Sequence, residues 1–78
     1  SKGRLDEAAR IFRAVLELDP TNARATNDLA CALWQSGRRQ GKEEARILLE
    51  ELLRQDPANE DARWNLQEMF PAKEAVTT

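Results

Sequence analysis

Trp64 stands between Asp61 and Glu68 at helical spacing, while Ala62, Leu66, Met69 and Phe70 share another side of the same stretch. A flat apolar ring flanked by carboxylates is binding chemistry: the ring anchors a partner side chain, and the acids attract a Lys or Arg beside it. Trp34 is a second aromatic in a comparable setting, in "ACALWQSG". Covalent chemistry has no such support. The chain has no histidine and one cysteine, Cys31, so it offers no nucleophile–base pair, no metal-ligand cluster and no internal disulfide. With no cationic neighbour, Cys31 reads as a small, partly buried side chain and not as a reactive thiol. The segment "GRRQGK" joins three basic side chains and two glycines, a pattern suited to an anion near a helix start, but basic surface turns usually solvate and it is read that way. No enzyme activity, cofactor or metal is expected.

Length and charge narrow the rest. At 78 residues there is room for one domain with a thin core, since a chain of this size buries only about 60 to 65% of its unfolded surface. Twelve basic against fourteen acidic residues leave a formal charge of −2, which argues against a nucleic-acid partner, because phosphate affinity needs clustered Lys and Arg. No apolar run approaches the ~20 residues that span a bilayer, so direct membrane insertion is not expected. The chain lacks an initiator Met and starts inside a motif. The expectation is that an upstream part of the natural protein is missing, and any targeting signal with it.

The segments that must hold Trp34 and Trp64 are helical. "LDEAARIFRAVLELD" (Leu5 to Asp19) puts Leu5, Ala8, Ile11, Phe12, Val15 and Leu16 on one face and is closed by Pro20. Thr21 and Asn22 are N-cap types for a second helix with Ala25, Leu29, Ala30, Ala32 and Leu33 on its apolar face, ending at Ser36 before Gly37. A third runs from about Gln40 to Asp56, burying Ala45, Leu48, Leu49, Leu52 and Leu53. Asn59 opens a fourth, which lasts until Pro71. No alternating β-branched run is present, so the prediction is all-α. Residues 1–70 are read as one helical domain and 71–78 as a mobile C-terminal tail.

Sliding the chain against itself by 37 places pairs Glu7 with Glu44, Ala8 with Ala45, Leu16 with Leu53, Asp19 with Asp56, Pro20 with Pro57, Asn22 with Asn59, Ala25 with Ala62 and Leu29 with Leu66. An offset of this size marks stacked structural repeats. In these residues the chain resembles the tetratricopeptide repeat, a helix-turn-helix unit of about 34 residues. Gly3, Ala8, Phe12 and Pro20 have the spacing of that motif, as do Ala25, Leu29, Ala30 and Gly37, and the likeness covers about Gly3 to Phe70. It implies antiparallel helix pairs stacked as a short right-handed solenoid. Three departures stand out. The first helix would be the second half of a unit, so Ile11, Phe12, Val15 and Leu16 lack their usual partner. The path from Gly37 to Ala45 takes eight steps against five from Gly3 to Ala8, as a longer turn or an added helical turn. Pro71 cuts the fourth helix short.

The resemblance also implies a task. In this family the first helices of successive units line a concave groove that receives a peptide or another protein. That face would carry Arg24, Asn27, Cys31, Trp34 and Gln35 on one helix and Asp61, Trp64 and Glu68 on the next, so that two of the chain's four aromatics point out of the core. Some members grip acidic tails with Lys, Arg and Asn, but the corresponding positions here fall on Asp28, Asp61 and Asn65, two of which have the wrong sign. A basic or amphipathic partner segment suits these residues better. The alternative expectations are that Trp34 packs under the "RRQGK" turn and Trp64 under the tail, and that the helices are one segment of a longer solenoid or self-assemble through the open end. The compartment is left open, with the cytoplasm favoured. Association with a bacterial envelope is the alternative, because "NEDARWNL" is similar to repeats of envelope assembly proteins.

Overall fold

Two Asn residues set the frame of the molecule. In the computed structural model, which describes residues 2–71, the helices are α1 (Lys2–Leu18), α2 (Ala23–Gln35), α3 (Arg39–Gln55) and α4 (Glu60–Met69), and no strand occurs among the described residues. Residues 72–78, most of the expected tail, lie outside the described residues. Asn22 and Asn59 sit at the N-caps of α2 and α4 with nearly the same backbone angles, φ −71° and ψ 101° against φ −70° and ψ 104°. Each side-chain oxygen accepts the N–H three residues on, from Ala25 and from Ala62, at 2.9 Å. Each Asn N–H donates back to the carbonyl of the preceding Asp, Asp19 at 3.1 Å and Asp56 at 3.0 Å. The repeated D-P-x-N is therefore a turn and a cap in one. Such a cap stabilises a helix by roughly 1 kcal/mol.

The helices pack in chain order, α1 on α2, α2 on α3 and α3 on α4, with α4 also reaching α2. One core cluster joins Ala30, Ala45, Leu49, Leu52 and Ala62 at the meeting of α2, α3 and α4. A second joins Ala9, Leu29 and Ala32 between α1 and α2, with Leu5, Ala8, Phe12 and Leu16 against it. Alanine dominates both, so the helices meet almost backbone to backbone and the core is thin. Ala9 was not placed on the apolar face by spacing, yet it is among the buried residues.

The extra residues between Gly37 and Ala45 lengthen α3 at its start, and the connection is only Ser36 to Arg38. Gly37 ends α2 with φ +79°, a conformation that L side chains avoid, and its N–H donates to the Trp34 carbonyl at 3.2 Å. Gly41 is a packing residue inside α3: a Cβ there would stand 2.7 Å from the Leu33 carbonyl oxygen and 3.0 Å from Ser36 Oγ. It is not part of an anion-binding turn. α1 and α3 make no close backbone approach. They are joined at the edge by bidentate pairs, Arg13 to Glu44 at 2.7 and 2.9 Å, and Arg38, at the start of α3, to Asp6 of α1 at 2.9 and 3.0 Å. The Arg13 hydrogen bonds hold the Glu44 carboxyl below its ordinary range. Behind the Arg13 pair runs a trough lined by Leu16, Leu29 and Leu48.

Candidate functional site

The first turns of α2 and α4 lie side by side and enclose a polar recess. Its walls are Ala23, Arg24, Asn27 and Asp28 from α2, with Asn59, Asp61 and Asn65 from the start of α4. Both helices begin here because both Asn caps stand at this end. Asn27 is buried at 7% exposure, and its side chain is already engaged: Nδ2 donates to the Ala23 carbonyl at 3.2 Å, and Oδ1 accepts from Asn65 Nδ2 at 3.1 Å. Asn27, which the family resemblance put on the groove face, thus forms the floor of the recess. Arg24 and Asp61 stay exposed at the rim. The recess can accept hydrogen-bonding and cationic groups, with Asp28 and Asp61 facing one Arg.

The two tryptophans have different fates. Trp64 is 63% exposed, one of the few large apolar side chains left open. Trp34 is half-buried against the α2–α3–α4 core, its ring centroid 5.0 Å from that of Phe70 in an edge-on contact at 72°. Lys42 Nζ lies 4.7 Å from the Trp34 centroid, and Arg46 Cζ lies 4.7 Å from the Phe70 centroid. The expectation that both tryptophans point out of the core therefore needs correcting for Trp34. The added turn of α3 carries Lys42 onto its ring, and the end of α4 brings Phe70 to its edge. Lys42 belongs to the "RRQGK" segment under which the alternative expectation packs Trp34, whereas the edge contact with Phe70 is what spacing does not show. Gln35 and Glu68 are exposed. Cys31 is half-buried, and burial, helped by the Asp28 charge, pushes its thiol above the ordinary value, which disfavours the thiolate.

Among the described residues, no group of three His, Cys, Asp or Glu side chains could hold a metal ion, and no helix is long and apolar enough to cross a membrane. Residues 1–41, more than half of the chain, match a family model described as tetratricopeptide repeat. The chain belongs to the tetratricopeptide-repeat family. Over 77 residues it is 35% identical to Protein NPGR2 of Arabidopsis thaliana, a match that takes in 99% of this chain and 10% of that protein. The chain thus spans about a tenth of the relative's length. No solved structure matches the chain. As a tetratricopeptide repeat, it is an all-α helical-repeat scaffold for protein–protein interaction, from a family of characteristically non-catalytic interaction modules. In the family's frame α2 and α4 are first helices of their units and α1 and α3 are second helices, so the polar recess and Trp64 belong to the first-helix side.

Proposed function

We infer that the chain binds a segment of a partner protein along the α2–α4 face, with Trp64 as its apolar anchor and the recess as its polar end. The observation that carries this reading is the 63% exposure of Trp64 on a stripe shared with Asp61 and Glu68, on the same helix as the recess residues Asp61 and Asn65. Large exposed rings are over-represented among residues that dominate binding energy. The neighbouring carboxylates favour a partner with a Lys or Arg near its anchored side chain. Trp64→Ala is expected to weaken partner binding about tenfold while leaving the unfolding midpoint nearly unchanged, because the ring buries little in the free chain. Titration calorimetry and thermal unfolding on the same variant check both halves. Unfolding of the variant, or unchanged affinity with the fold intact, would remove Trp64 from the site.

A second reading, stacking of a further helix on α1, is favoured by a specific feature. Ile11 is 56% exposed and Leu18 is 90% exposed, with Val15 half-buried between them on the same side of α1. Ala8, Phe12 and Val15 are the repeat counterparts of Ala45, Leu49 and Leu52, which are buried in α3. An amphipathic helix on that side, from a longer form of the protein or from a second copy, would complete the first unit. Sedimentation of the 78-residue chain is expected to show concentration-dependent association. A stable monomer at high concentration would count against self-association.

A further inference from the structure

The start of α3 concentrates positive charge in a chain whose formal charge is −2. Helix N-termini carry the positive end of the peptide dipoles and favour acids, yet α3 has none in its first turn, and the Arg38 side chain caps nothing. Arg38 is occupied by Asp6. Lys42 and Arg46 make no ion pair with a described residue, whereas Arg13 is held by Glu44 and Arg54 by Glu51. Like charges four residues apart on a helix disfavour each other. Here each cation lies over a ring, Lys42 on Trp34 and Arg46 on Phe70, and the rings touch. The ring faces hold the cations in place without neutralising them. What completes this corner is an anion borne on an apolar stem.

Its position supplies the second half of the argument. Trp34 is in the last turn of α2 and Phe70 caps the end of α4, the same two helices whose first turns form the recess with Asp28 and Asp61. The α2–α4 face thus ends at one side in the amide-rich recess, where Asp28 and Asp61 outnumber Arg24, and at the other in Trp34 and Phe70, over which α3 lays Lys42 and Arg46, with Glu68 exposed on α4 nearby. Arg24 and Trp34 lie ten residues apart on α2. That is about 15 Å of helix, which an extended chain spans in about four or five residues.

Resting on the groove reading above, we propose that the partner is an extended protein segment carrying a Lys or Arg at one end and a carboxylate about four or five residues away. The basic group enters the recess. The carboxylate sits between Lys42 and Arg46, with its stem against Trp34 and Phe70. The apolar stem makes this carboxylate that of a Glu side chain within the segment, since its methylenes are what the two rings would cover.

The test uses short fluorescein-labelled peptides and anisotropy. One carries Lys and Glu about four residues apart with apolar residues between. In a second, Lys replaces the Glu. A third has Ala there and ends at that residue with a free carboxylate. The wild-type chain is expected to bind the Lys–Glu peptide about tenfold more tightly than the Lys–Lys peptide. The double variant Lys42→Glu, Arg46→Glu should invert that order. Lys42→Gln with Arg46→Gln should abolish the preference without inverting it, and serves if the glutamate variant loses its helical signal. Weaker binding of the third peptide is expected, and binding as tight as that of the first would overturn the side-chain assignment. Equal, Trp64-dependent binding of the Lys–Glu and Lys–Lys peptides would overturn the carboxylate site at Lys42 and Arg46 while leaving the groove. No binding of any peptide would overturn both.

Discussion

Leu49→Ala is expected to lower the free energy of unfolding by about 2 to 5 kcal/mol, toward the upper half of that range. Leu49 is fully buried, and the cluster around it includes Ala30, Ala45 and Ala62, each with no exposed surface. Alanine has no rotamers with which to refill a void, so the cavity cannot collapse and the site loses its contacts outright. A domain of this length has only about 4 to 12 kcal/mol in total. One side chain therefore accounts for a large share of the fold. Urea unfolding followed by far-ultraviolet circular dichroism measures the loss, and a midpoint close to that of the wild type would mean that α2, α3 and α4 do not meet at Leu49.

The reverse change tests the same seam by overfilling it. Ala45→Leu should destabilise by about 1 to 3 kcal/mol, because Ala45 has no exposed surface and lies in the cluster that joins α2, α3 and α4. Its repeat counterpart, Ala8, is only half-buried on α1. Ala8→Leu should consequently cost less than Ala45→Leu. Thermal unfolding of the two variants side by side gives the comparison. Equal losses would mean that α1 is covered on its outer side in solution; no loss for Ala45→Leu would contradict the close helix approach itself.

The helices were legible because their causes are local. Apolar spacing, Pro20, Pro57 and the Asn caps act within one turn, and the offset of 37 exposed the repeat directly. What the sequence left open depended on contacts far along the chain. Gly41 reads as one of two glycines near a helix start, and its packing role is plain only when the Leu33 carbonyl is seen beside it. Trp34 and Trp64 occupy similar stretches, and only the arrival of Phe70 and Lys42 in space separates a packed ring from an open one. Asn27 could be placed on the groove stripe, but its burial depends on Asn65 in another helix. The polar residues of the recess were thus nameable from the repeat frame, Arg24, Asn27 and Asp61 as groove positions and Asp28 and Asn65 as the positions of the acidic-tail grip, but their meeting in one recess comes only from the fold.

The joint between α1 and α3 behaves differently from every other seam in the molecule. Elsewhere alanine brings helices into apolar contact, whereas here Arg13–Glu44 and Arg38–Asp6 bridge helices whose backbones stay apart. All four side chains are substantially exposed, so dissolved ions weaken these pairs while leaving the alanine seams untouched. In a repeat array, curvature is the sum of small rotations between neighbours. Salt therefore loosens the α1–α3 edge of this chain while its α1–α2 and α2–α3 seams hold, so the rotation between these helices is the one that ionic strength can change.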